Sequence, residues 1–237
     1  LDIYKEDLAK TEFLERFEKL YAQEDADTSK LSELPTAYDY IRLGHPLSSV
    51  LEWGIAKLNN LKADQVISFS SRTVPILAVL RKNLFDKKKT QIAYKGELPA
   101  YFDLETVKSV YNYNFELKQV ENIEDISAFD GSTIFISQND EIGKVTLNEN
   151  IDFYLNIHSE LGSILLVNGE QNEAYISAIQ HVRRRETISM TPQNCYAALQ
   201  LLQGQNPPKH DKAKFESDKA SVLDSIKKIT AADTKAL

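Results

Sequence analysis

Four short runs carry side chains able to do chemistry. Ser70-Ser71-Arg72-Thr73 precedes Val74-Pro75 and an apolar run of helical spacing. Small hydroxyl residues at a helix start cap its free N–H groups, or leave those groups, with Arg72, to hold a small anion or a nucleotide. Asp140-Glu141-Ile142-Gly143 sets two carboxylates beside a glycine suited to a turn. Arg183-Arg184-Arg185, next to His181, is a dense cationic cluster that suits a phosphate or partner contact as well as a wet helix face. Lys87-Lys88-Lys89 follows a helix, where cations complement the macrodipole; an acidic partner is the other reading. The four histidines, His45, His158, His181 and His210, are too scattered to form a metal-ligand pattern. Cys195, the single cysteine, excludes a disulfide framework and a thiolate zinc cluster, and beside Tyr196 it reads as a small buried hydrophobe. There is no phosphate-binding P-loop, GxGxxG, GxSxG or HExxH.

The chain that positions these groups has 237 residues, 42% of them hydrophobic and 27% charged. That suffices for a packed core and suggests one domain with appendages. A net charge of −7 argues against a general nucleic-acid binder. No uninterrupted apolar run approaches the ~18 residues of a membrane span, so no membrane insertion is expected. With no visible signal peptide, a cytoplasmic location is expected.

Charge divides the chain into three parts: an N-terminal piece (1–34), a middle block (35–203), and a linker with a C-terminal helix (204–237). The first part is acidic, with ten acids against five bases, and residues 203–237 are mildly basic, with five against seven. Leu8, Phe13, Leu14, Phe17, Leu20 and Tyr21 share one face of a predicted helix ending near 25–29. Trp53 is expected to anchor a core. In the middle block, strands are predicted at 65–70, 90–94, 115–120, 133–137 and 163–167, and helices at 74–84, 103–112 and 149–161. This alternation predicts an α/β domain with a mostly parallel sheet and helices on both faces. Ligands then bind at the carboxyl ends of the strands. After Gly204, Pro207 and Pro208 comes an amphipathic helix carrying Phe215, Val222, Leu223, Ile226 and Ile229, with 230–237 expected to fray.

Six segments, in this order, resemble the large domain of fold type I pyridoxal-phosphate (PLP) enzymes of the aspartate aminotransferase group. Tyr40–Leu58 (YIRLGHPLSSVLEWGIAKL) is similar to the family's opening turn and helix. Gln65–Leu84 (QVISFSSRTVPILAVLRKNL) resembles the strand, turn and helix that cradle the cofactor phosphate. Glu97–Val120 resembles the "P-x-Y" segment. Thr133–Val145 (TIFISQNDEIGKV) resembles the strand and "Asn-Pro-Thr-Gly" turn. Ser163–Tyr175 (SILLVNGEQNEAY) resembles the "Asp-Glu-x-Tyr" strand end, and Thr187–Leu202 the later Ala-rich helix.

The resemblance implies vestigial cofactor positions at Ser71, Arg72 and Thr73 (phosphate), Tyr101 (ring contact), Asp140 (phenolic oxygen) and Asn168 (pyridine nitrogen). The chemistry it implies is incomplete. No lysine lies between Lys144 and Lys209, where the family places its Schiff-base lysine, and arginine does not form an aldimine. Asn168, or Asn172 in a shifted alignment, is an amide where a carboxylate would hold the ring nitrogen protonated. Asp140 would repel an anionic phenolic oxygen. Too few residues follow Gln203 for the family's small domain. The expectation is therefore a non-catalytic, pseudoenzyme-like adaptor or structural subunit with no cofactor. Its partners would be other proteins, met through the terminal helices, and by resemblance a second copy in a homodimer. A subunit of a bacterial type IV secretion coupling complex is one such role. The alternative is a PLP-dependent aminotransferase whose lysine-bearing loop, between Tyr175 and Thr187, is not in these residues.

Overall fold

The computed structural model describes residues 10–38, 40–207 and 212–230. It divides into two compact units, Leu1–Gln205 and Asn206–Leu237. The first unit runs α1 (Thr11–Ala22), α2 (Thr28–Ser32), α3 (Pro46–Leu58), β1 (Val66–Phe69), α4 (Val74–Phe85), β2 (Thr90–Tyr94), α5 (Leu104–Ser109), β3 (Glu116–Gln119), β4 (Ser132–Gln138), β5 (Phe153–His158), β6 (Gly162–Val167), α6 (Ala174–Glu186) and α7 (Pro192–Leu202). The second holds α8 (Lys212–Thr230).

The expected α/β architecture is present as one six-stranded mixed sheet of order β1-β6-β5-β4-β2-β3. β2, β3, β4 and β5 are parallel, and β6 runs antiparallel to both its neighbours, β1 and β5. Helices cover both faces. Ile76, Val79 and Leu80 of α4 and Ile176, Ile179 and Val182 of α6 meet one face of the sheet, including Ile67, Ile134, Phe153 and Leu155. Leu51, Ile55 and Ala56 of α3 and Cys195 and Ala198 of α7 meet the other, including Val66, Phe135, Tyr154 and Ile164. Each fully buried Val, Leu, Ile or Phe side chain among them is worth about 1.5–3 kcal/mol, which makes these two layers the main source of stability.

The N-terminal helix covers the outside of α3. Phe13 and Leu14 join Trp53, Tyr38 and Leu43 in a third cluster, and the Trp53 indole donates to Glu18 at 2.6 Å. α1 stops at Ala22, before the expected 25–29, and Leu8 lies outside the described residues, as do 231–237.

One predicted element is corrected. Residues 149–161 do not form a helix: they contain β5. Phe153, Leu155 and Ile157 face one core while Tyr154 faces the other, so both faces of the strand are covered and its apolar residues fall at helical as well as strand spacings. Pairing with β4 and β6 on either side decides the conformation. In consequence the crossover from β4 to β5, residues 139–152, contains no helix. It is an irregular strap across the sheet face.

Candidate functional site at the carboxyl edge of the sheet

Local chemistry fixes the elements that end at this edge. α4 begins at Val74 with Pro75 in its first turn, where a missing N–H costs nothing. The Ser71 hydroxyl accepts the N–H groups of Thr73 (3.3 Å) and Val74 (3.1 Å). The Ser163 hydroxyl donates to the Ser71 carbonyl at 2.6 Å and ties this turn to the start of β6. Gly162, where β6 begins, has φ +119°, and a β-carbon there would meet the Phe69 carbonyl oxygen at 2.2 Å. Only glycine permits that approach.

Five of the six residues singled out from the sequence lie around this edge. The Arg72 guanidinium donates to the Ser159 carbonyl and sits 6.0 Å from the Tyr101 ring. Partial burial lifts the Tyr101 phenol above its usual pKa against the pull of Arg72. Asp140 accepts from the Ser159 N–H at 2.8 Å and from its hydroxyl at 2.9 Å. Those bonds, the backbone one first, hold its carboxyl below the usual carboxylate range and therefore ionised. Ser71 and Thr73 close the group through the cap just described.

Asn168 is placed elsewhere. β6 is antiparallel to the parallel strands, so Asn168, just past its end, lies at the opposite edge of the sheet. Its amide donates to the carbonyls of Asn148 (3.1 Å) and Ile151 (2.8 Å) and pins the strap. Asn172 donates to Asp152 at 2.7 Å and serves the same corner.

His158 and Ser159 belong to the edge cluster but were hidden inside the predicted helix. His158 Nδ1 accepts the N–H groups of Glu160 (3.0 Å) and Leu161 (3.2 Å), and burial keeps its pKa low. Neutral, with Nδ1 already accepting, it forms no ion pair with Asp140, although the two approach to 3.6 Å. Ser159 donates to a carboxylate and not to an imidazole, so no activated nucleophile is assembled.

Cys195 and His45 approach to 4.0 Å in the interior, another pairing capable of chemistry. Burial pushes the thiol far above its usual pKa, which leaves it inert. His45 instead caps α3, accepting the Ser48 N–H at Nδ1 (3.2 Å), while Nε2 faces the Met190 carbonyl at 2.8 Å. Arg183 is wholly buried and no part of a cationic surface.

The edge cluster does not fit PLP. The helix N–H groups that would meet a phosphate are bonded to the Ser71 hydroxyl, and an ionised carboxylate, Asp140, stands in the group. The lysines in loops leaving this edge, Lys95 and Lys144, are exposed and bond to none of these residues. Among the described residues no group of three or more His, Cys, Asp or Glu could hold a metal ion. No described helix is long and apolar enough to cross a membrane.

No family model and no curated protein matches the chain. Among solved structures it is similar to cystathionine gamma synthase from Xanthomonas oryzae pv. oryzae in complex with cystathionine (TM-score 0.47, 12% identity, 72% of this chain and 54% of that one). It is also similar to cystathionine gamma-lyase from yeast (TM-score 0.47, 14% identity, 70% and 52%). A third is cystathionine gamma-lyase from Lactobacillus plantarum complexed with L-serine (TM-score 0.45, 14% identity, 70% and 53%). The chain spans about half the length of each, and at such scores the likeness carries no argument about activity, substrate or partner.

Proposed function

We propose that this chain is a non-catalytic, aminotransferase-like subunit that acts as an adaptor in a multiprotein assembly. One observation carries the reading: at the sheet's carboxyl edge, Arg72 and Asp140 both bond Ser159 while the Ser71 hydroxyl takes the N–H groups of Thr73 and Val74, so the donors are spent around a carboxylate where an anionic cofactor would need them. Fold alone does not supply an activity. The second unit suits the partner-binding half of the reading, since Phe215 (63% exposed), Val222 (57%) and Ile229 (84%) stand open on α8. A bacterial type IV secretion coupling complex is one assembly of the proposed kind.

The test is affinity purification of the full chain from its native cells, beside a chain lacking 206–237. The reading expects a stoichiometric protein partner with the full chain, and its loss with the deletion. No stoichiometric partner, or a full chain that purifies with covalently bound PLP, overturns it.

A further inference from the structure

The strap between β4 and β5 leaves a space that a crossover helix would have filled. Parallel neighbours are usually joined through a helix laid on the sheet. Here residues 139–152 cross the face as irregular chain, and they are held at both sides. Asn59 donates to the Gly143 carbonyl at 3.1 Å and accepts the Val145 N–H at 2.8 Å. Asn168 holds the far side through Asn148 and Ile151. Ile142, Val145 and Leu147 reach the core beneath. Between strap and sheet lies a cavity of about 350 Å3.

The cavity is lined by both apolar and polar side chains. Phe135 and Tyr154, 6.3 Å apart in an edge-to-face pair, line it with Ile164 and Leu166. Asn156, paired on the sheet with Ile164, and Lys144 and Glu141 of the strap add polar groups to the same lining. The Asn156 amide donates to the Glu141 carbonyl at 2.9 Å, but its Oδ1 is buried and meets no donor. A buried acceptor without a partner is uncommon and calls for one. Lys144 is exposed at the rim, and among the described residues no carboxylate pairs with it.

We infer that this cavity binds a small apolar carboxylate bearing a hydroxyl on the adjacent carbon, a 2-hydroxy acid with an aromatic or branched side chain. The apolar body lies on Phe135, Tyr154, Ile164 and Leu166. The hydroxyl donates to Asn156 Oδ1, and the carboxylate pairs with Lys144. The dimensions match small-molecule sites, which are apolar with a few converging polar groups. This inference is independent of the adaptor reading.

The probe is 3-phenyllactate, titrated into the full chain and followed by calorimetry and amide chemical shifts. Two analogues accompany it: 3-phenylpropionate, which lacks the hydroxyl, and 3-phenyl-1,2-propanediol, which lacks the carboxylate. Lys144→Ala, an exposed change that leaves the core intact, should weaken phenyllactate about tenfold, the size of one charge-assisted bond, and leave the diol unchanged. Asn156→Leu, of similar volume, should weaken phenyllactate and leave phenylpropionate unchanged. Shifts should centre on residues of β4, β5 and the strap. Absence of binding at millimolar phenyllactate overturns the inference, as does binding that both variants leave intact.

Discussion

The Glu52 carboxylate and the Arg183 guanidinium meet at 2.8 Å in the interior, with 1% and 0% of their side chains exposed. Lys10 donates to the other Glu52 oxygen at 2.8 Å, and the Ser68 N–H and hydroxyl complete the shell at 2.9 and 2.8 Å. Helices α3 and α6, strand β1 and the residue before α1 are thus joined at one carboxylate. Burial alone would raise the Glu52 pKa, but Lys10 and then Arg183 outweigh it and hold it at about 2.

Glu52→Gln leaves two buried cations without their anion, and breaking such a pair costs about 3–5 kcal/mol. Chemical denaturation should show a loss of that order. A loss under about 1 kcal/mol contradicts the assigned role.

The same carboxylate sets an acid limit. Its folded pKa lies below its unfolded value, so its contribution is complete above the ordinary glutamate range. It is lost as pH falls from about 4.5 toward about 2. Melting temperature followed from pH 6 downward should drop steeply across that window in the natural chain, and Glu52→Gln should flatten that part of the profile.

Lys10 makes the N-terminal arm part of the fold. It is buried and raised in pKa, since Glu52 outweighs the burial that would lower it. Removing the chain through Leu34 strips Lys10 from Glu52 and uncovers Trp53, and should melt the first unit at a markedly lower temperature. Removing 206–237 should leave that melting temperature unchanged. Equal effects of the two deletions contradict this account.

Gly162→Ala drives a methyl group into the Phe69 carbonyl at a φ that L-residues avoid. The loss should exceed about 2 kcal/mol by denaturant titration, well beyond an ordinary surface change. Asn168→Ala, at the other end of β6, should cost about 1–3 kcal/mol by denaturant titration for the strap carbonyls it leaves unpaired.

These residues mark what local sequence can and cannot reveal. Val66–Phe69, Thr90–Tyr94 and Gly162–Val167 are β-branched or apolar runs bounded by turn residues, and they appear as strands. The sense of β6 was not legible, because an unbroken apolar run reads the same in either direction. That reversal is what separates Asn168 from Ser71, Arg72, Thr73, Tyr101 and Asp140. β5 was hidden because a strand buried on both faces imitates helical spacing, and Ser159 and His158 were hidden with it. The Glu52–Arg183 pair spans 131 positions and Lys10–Glu52 spans 42, so no local pattern links them. Arg183 also sits within an arginine run that resembles a wet helix face.

The central claim, that the carboxyl edge of the sheet is not a working cofactor site, is tested most directly by PLP itself. The full-length chain is mixed with PLP, reduced with borohydride and examined by absorbance, intact mass and peptide mapping. The account predicts no stoichiometric adduct and no change in melting temperature. A single stoichiometric adduct on Lys95 or Lys144, with visible absorbance before reduction, would contradict it.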